Sequence, residues 1–179
     1  MTPPADSPQL QTVLAWARDL QLGIEPLEAR DASGATLPGL ALIRGQLRLS
    51  LLEIKGVLHL ICDLNVPPQV RDATRKLKAK LQEEMLIALR QALSESPRVG
   101  WVLMPPTTAR IGDLEQIRLT EAFRITAADP GTFNRFADAV QELATAALKA
   151  GGVYGQLMAG PVPLSGTTGR PDETRPGYA

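Results

Sequence analysis

The chain has 179 residues, enough for one domain that buries a real core without covalent staples. Lysine plus arginine and aspartate plus glutamate number 19 each, so no global field draws the chain to nucleic acid or to an anionic membrane. The single cysteine, Cys62, excludes an intramolecular disulfide and fits a reducing, cytoplasmic setting.

The first residues, MTPPADSPQLQ, carry neither a basic stretch nor an apolar one and do not read as a secretory signal. Ser7-Pro8 reads as a helix start, with serine as N-cap and proline in the first turn. Leu10, Val13, Leu14, Ala17 and Leu20 follow at helical spacing, Trp16 lies off that stripe, and Gly23 can close the helix. Residues 24–30 and 35–43 read as strands around DASG, with Pro26 and Pro38 reducing parts of them to edges or irregular chain.

The stretch GLALIRGQLRLSLLEIKGVLHLICDLNV, from Gly39 to Val66, is more than half apolar, but Arg44, Arg48, Glu53, Lys55, His59 and Asp63 interrupt it too often for a membrane span. Arg44-Gly45 and Lys55-Gly56 read as two-residue hairpin loops. The register then sets Ile54 against Val57, Leu51 against Leu60, Leu49 against Cys62 and Leu47 against Leu64. Across the other turn it sets Leu42 against Leu47 and Leu40 against Leu49. One face collects Leu40, Leu42, Leu47, Leu49, Leu51, Leu58, Leu60, Cys62 and Leu64, with Glu53 as its only charged member. On the other face Arg48 is expected to pair with Asp63 across the strands. That face is polar at one end but carries Leu52, Ile54, Val57 and Ile61 near Lys55-Gly56, beside His59. A solvated face should be polar throughout. Another part of the chain, a second subunit or a client is expected to cover it.

From Pro68 to Ser94 the period becomes helical, with Val70, Ala73, Leu77, Leu81, Met85, Ala88 or Leu89, and Ala92 as the expected buried stripe. Residues 99–104 and 114–125 read as strands joined by PPTTARIGD. DPGT, with Asp129 or Thr132, caps a last helix whose stripe is Phe133, Phe136, Ala137, Val140, Leu143, Ala144, Ala147 and Leu148. Gly151-Gly152 is expected to end or break it, and the residues after Met158 cannot bury enough to order themselves. The reading is a single α+β domain over residues 1–158, ordered α-β(3-4)-α-β-β-α, with helices on one face of an antiparallel sheet and a disordered tail over 159–179.

No catalytic motif emerges. His59 and Cys62 fall on opposite faces of one strand, which a nucleophilic pair cannot use. The chain is too poor in soft ligands for zinc, and its glycines form no phosphate or dinucleotide loop, so no metal or cofactor is expected. Glu83 and Glu84 point in different directions on a helix and do not converge. The basic run RDATRKLKAK places Arg71, Arg75 and Lys78 on one helical face near an N-terminus, where the helix dipole opposes them. It reads as a solvated face, or as a contact for an anion or acidic partner, without the aromatic residues of a base-stacking platform.

The element order, with LAWARDLQL leading, the meander following and FNRFADAVQELATAALKA closing, resembles the type III secretion chaperone-like fold and, within it, the YbjN-like proteins of bacteria. The resemblance spans roughly residues 7 to 158. It implies a small, non-enzymatic, usually dimeric protein. Secretion chaperones of this shape hold an extended client against apolar patches, and YbjN-like proteins are linked to regulation. Their dimer contact through the second helix and a following strand would place Leu86, Trp101 and Val102 at the interface, in competition with the patch of Leu52, Ile54, Val57, His59 and Ile61. The expected function is a cytoplasmic protein-binding module, chaperone-like or a regulatory adaptor, working as a homodimer on an unidentified protein client. The alternative is a regulator that touches nucleic acid or an acidic partner through Arg71, Arg75 and Lys78.

Overall fold

The computed structural model describes residues 7–30, 33–125 and 131–158, with side chains as far as Gly155. The expected tail and the Asp129 cap lie outside the described residues. Helix α1 runs over Pro8–Asp19 and starts as its sequence requires: the Ser7 hydroxyl accepts from the Leu10 amide at 3.2 Å. Its end differs from expectation. Gln21, not Gly23, takes the left-handed conformation (φ 55°), while the Gln21 and Leu22 amides return to the Arg18 and Ala17 carbonyls at 2.9 Å each. This is a Schellman closure without glycine. Gly23 serves a different purpose as the first residue of strand β1 (Gly23–Pro26), where a Cβ would stand 3.0 Å from Ile43 Cβ. Trp16 lies off the buried stripe, as expected, but is half-buried and meets Phe133 and Phe136 at ring distances of 5.9 and 6.0 Å.

Pro26 closes β1, and Pro38 separates the short strand β3 (Thr36–Leu37) from β4 (Gly39–Arg44). β3 pairs only with β2 (Ala29–Arg30) in a separate two-stranded ribbon. Strands β4, β5 (Leu47–Ile54) and β6 (Val57–Asn65) form the meander. At the second turn Lys55 and Gly56 both have positive φ, 51° and 73°, and Ile54 faces Val57, Leu51 faces Leu60 and Leu49 faces Cys62 as the sequence implies. The first turn corrects the expected register. Its loop is Gly45-Gln46, with Gly45 at φ 60°, so Arg44 faces Leu47, Leu42 faces Leu49 and Leu40 faces Leu51. Glycine is needed at the first position of such a turn, not the second. A slip of two residues preserves side-chain parity, so the core face is unchanged.

Strand β7 (Gly100–Met104), a 3-10 turn at Ile111–Asp113 and strand β8 (Gln116–Phe123) complete a six-stranded antiparallel sheet in the order β1-β4-β5-β6-β8-β7. The chain passes from β6 through two helices to the far edge and then returns, so β8 fills the gap between β6 and β7. The expected single helix over Pro68 to Ser94 is two: α2 (Pro68–Arg75) and α3 (Ala79–Ser94), with Lys78 extended between them. Gln82, 5% exposed, stabilises the break by donating its side-chain amide to the Leu77 carbonyl at 2.9 Å and the Arg75 carbonyl at 3.3 Å. The break resets the helical phase. The buried residues are Thr74, Gln82, Leu86, Leu89 and Leu93, whereas Ala73 and Leu81, expected inside, are exposed; of the alternatives Ala88 and Leu89, Leu89 is the buried one.

Helix α4 (Thr132–Met158) runs through Gly151 and Gly152 instead of stopping there. Both glycines face open space, and Val153 and Tyr154 beyond them pack against the core, which offsets their poor helix propensity of about 1 kcal/mol each. Leu148, expected in the stripe, is 73% exposed. Leu40, Leu42, Leu49, Leu51, Leu58, Leu60, Cys62, Ile117 and Leu119 point to one side of the sheet and are buried beneath helices α1, α3 and α4. Glu53, the charged member of this face, accepts from the Ser7 hydroxyl and so joins the helix N-cap to the sheet. The architecture is α+β, with helices covering one face of the antiparallel sheet. No described helix is long and apolar enough to cross a membrane.

Candidate interaction surface

The second face of the sheet follows from the same parity. Successive rows place Ile54 beside Val57, Leu52 beside His59 and Ala122, and Ser50 beside Ile61, Thr120 and Gly100. A further row holds Asp63, Arg118 and Val102. Leu52, Ile54, Val57, His59 and Ile61 are each half-buried, so the structure brings the expected patch together. Part of its cover comes from the chain itself. Leu27 and Leu52 close over Gly39, where an added Cβ would lie 2.7 Å from Leu52 Cδ2 and 3.4 Å from Leu27 Cδ2. The Gln9 side-chain amide also reaches the Gly56 carbonyl at 3.3 Å.

The expected Arg48–Asp63 pair is absent. The β5–β6 ladder stops at Leu49–Cys62, short of Leu47–Leu64 as well. Asp63 lies directly opposite Arg118 on β8 and accepts hydrogen bonds from its Nε and Nη2, at 2.7 and 2.9 Å. Arg48 bonds Glu25 of β1 at 2.6 Å. Asp63 thus takes the partner on its other neighbouring strand, and Arg48 reaches across β4 to the edge strand.

Trp101 and Val102 separate, as consecutive strand residues must. Val102 shares the face of the patch and is 44% exposed. Trp101 faces the helices, opposite Leu119, half-buried against the core. Both sit on β7, the last strand of the sheet, and no strand among the described residues pairs with its outer side. The two edges of the sheet differ. β1 is only four residues long, ends in Pro26 and carries Glu25 in an ion pair with Arg48. These are ordinary protections against unwanted pairing. β7, GWVLM, has no charge, no proline and no glycine beyond its first residue, and Pro105 follows only after it ends.

The basic residues do not make one surface. Arg71 and Arg75 lie on α2, while Lys78 sits in the break before α3, so the expected shared helical face does not exist. Arg71 contacts Glu115 at 3.0 Å, and Arg75 lies 3.8 Å from both Asp72 and Asp113. Cys62 is 1% exposed on the core face, and burial pushes its thiol pKa up to about 11. His59 is on the opposite face, so the two cannot act together.

A cleft of about 320 Å³ opens between the end of β6, α2 and the last turns of α4, lined mainly by Val66, Pro67, Val70, Ala147, Ala150 and Tyr154. Sequence periodicity did not indicate it, because it depends on how α2 meets α4. One further grouping was missed, although strand parity was a usable signal for it. Glu121 falls in step with Ile117 and Leu119 on the core side of β8 and meets residues of α4 there.

No family model matches the chain, and no curated protein matches its sequence. Among solved structures, it is similar to an uncharacterized protein from Methanothermobacter thermautotrophicus, with a TM-score of 0.64 at 12% identity, covering 82% of this chain and 96% of the other. It is also similar to YbjN from E. coli, with a TM-score of 0.46 at 14% identity, covering 85% and 93% respectively. What the first of these likenesses establishes is a shared fold across most of both chains.

Proposed function

We propose that the protein is a non-enzymatic protein-binding module whose first partner is a second copy of itself. The observation that carries this reading is the difference between the two sheet edges. A bare, apolar edge strand is a hazard unless something pairs with it. Two β7 strands running antiparallel about a two-fold axis at Val102 would set Val102 against its counterpart, Trp101 against the partner's Leu103 and Gly100 against the partner's Met104. No charge meets a like charge in that register, as a self-complementary interface requires. The half-exposed Trp101 would gain a neighbour on the core side, and the Leu52, Ile54, Val57, His59 and Ile61 patch would stay on the continuous outer face as the adaptor surface. The separation of His59 from Cys62 supports the non-enzymatic part. The in-chain partners of Arg71 and Arg75 leave little support for contact with nucleic acid.

Sedimentation of the whole chain at tens of micromolar tests this. The wild type is expected to be a dimer, Val102→Lys a folded monomer, and Ile54→Lys a dimer. A monomeric wild type would overturn the reading. Dissociation by Ile54→Lys but not by Val102→Lys would move the interface to the outer face.

A further inference from the structure

The cleft between α2 and α4 is mainly apolar. Val66, Pro67 and Val70 line one side, and Ala147, Ala150 and Tyr154 line the other. Among the described lining residues Asp63 alone is charged, and Arg118 holds its carboxylate at 2.7 and 2.9 Å. Gly151 also faces the cleft and leaves room in it, since a Cβ there would meet nothing within 4 Å. The Tyr154 hydroxyl oxygen is shut off from solvent and has no hydrogen-bond partner. Such a site suits an uncharged, apolar occupant that brings hydrogen-bond acceptors and few donors.

The chain itself carries such a segment beside the cleft. Helix α4 ends at Met158, one turn past Tyr154. Positions 147, 150, 154 and 158 repeat at helical spacing, so the chain leaves α4 on the cleft side. The next residues are Ala159-Gly160-Pro161-Val162-Pro163-Leu164, with no charge before Arg170 and no further large apolar side chain before Tyr178. Pro161 and Pro163 have no N–H to strand in an apolar site. Each also holds the residue before it extended, so the segment favours a polyproline II helix at little cost in ordering. That helix has about three residues per turn, which sets Pro161 and Leu164 on one face. The lengths agree as well. Tyr154 and Ala147 lie about 6 and 16 Å back from Met158 along α4. Pro161 and Leu164 lie about 9 and 19 Å onward from it along a polyproline II segment, and Gly160 permits the reversal between them.

We propose that the segment Pro161–Leu164 folds back along α4 and fills the cleft of its own chain, with Pro161 against the Tyr154 ring and Leu164 between Val70 and Ala147. Docking of proline-rich segments on aromatic-lined grooves is a general mode of recognition. The carbonyls of the segment supply the acceptor that the Tyr154 hydroxyl lacks. By itself this sequence cannot bury enough to order, and the cleft provides the apolar surface it is missing. The seat shares no residue with the β7 edge of the proposed dimer, so either reading can fail without the other.

NMR of the full chain, labelled at backbone nitrogens and methyl groups, tests this. In the wild type the Val162 and Leu164 amides are expected to have the order parameters of a rigid backbone, about 0.85, and the Leu164 methyls to give cross-peaks to the Val70 methyls. Gly151→Leu puts a side chain into the cleft from an open helical position and replaces a poor helix former, so α4 should stay folded. In that variant the order parameters should fall below about 0.6 and the cross-peaks should vanish. Leu164→Ser should release Val162 in the same way, and Val102→Lys should leave the segment seated. Wild-type order parameters below about 0.6 with no cross-peak to Val70 would overturn the proposal, whether or not a variant folds. Cross-peaks from Leu164 to β7 in place of Val70, or cross-peaks found only between differently labelled chains, would overturn it too. The same holds for Leu164–Val70 contacts that persist in Gly151→Leu.

Discussion

Replacing Gln82 with methionine tests why the basic stretch breaks into two helices. The substitution keeps the side-chain length and nearly keeps its volume, so the packing cost is small. It removes two hydrogen bonds, from the Gln82 amide to the Leu77 carbonyl at 2.9 Å and to the Arg75 carbonyl at 3.3 Å. A side-chain to backbone bond contributes about 1 kcal/mol net, and the longer of these contributes less. The site is 5% exposed, so water does not readily replace the lost donor. The expected loss is about 2 kcal/mol, and for a chain of this size that corresponds to a fall in Tm of about 4–8 °C. Urea denaturation followed by far-ultraviolet circular dichroism gives the free energy, and a thermal scan gives Tm. Gln91→Met, at an exposed position of α3, is the control and should change stability by less than about 0.5 kcal/mol. A Gln82→Met protein as stable as that control would refute the idea that this side chain maintains the break.

Four other outcomes follow from the geometry. Gly39→Ala should lose about 1–3 kcal/mol in the same denaturation assay, because its Cβ would lie 2.8 Å from the Leu51 carbonyl oxygen and 2.7 Å from Leu52 Cδ2. Gly152→Ala, in a helix with nothing within 4 Å of the new methyl, should instead gain up to about 1 kcal/mol. Lys55→Asn should raise the unfolding free energy by a few tenths of a kcal/mol, since Lys55 holds φ 51° ahead of Gly56 and Asn-Gly suits a turn with two positive φ values. Cys62 should resist a thiol reagent at pH 8 while the protein is folded, with its pKa near 11 and 1% exposure, and react promptly in denaturant; rapid labelling of the native protein would contradict the core assignment.

Strand parity made the meander legible. Its apolar residues alternate over three runs, so even a turn placed one residue early, with a two-residue slip in register, left every leucine on the correct face. The N-terminus of α1 was equally local, since Ser7 caps from its own side chain and Pro8 fits the first turn. The same locality assembled Leu52, Ile54, Val57, His59 and Ile61 into one patch and placed Val102 on their face, but no local signal showed that β7 would be an unprotected edge. That depends on β8 returning between β6 and β7, a choice among strand orders that the alternation of either strand does not encode.

Where the sequence misled, a distant partner outweighed a local preference. Arg71, Arg75 and Lys78 are spaced for one helical face, yet the buried Gln82 amide stabilises a break between them, and Gly112 approaches so closely that a Cβ there would lie 2.9 Å from Arg75 Cγ. Gly151-Gly152 reads as a helix stop, yet the packing of Val153 and Tyr154 on the core carries α4 through it. Arg48 and Asp63 have the register of a pair, yet each has a closer carboxylate or guanidinium on another strand. By itself the sequence determined which residues alternate, cap and turn, because those are interactions among near neighbours in the chain. The tertiary structure alone decided which charges meet, which strand is left at the edge, and that α2 and α4 leave a cleft at the end of β6, because those outcomes depend on packing between segments far apart in sequence.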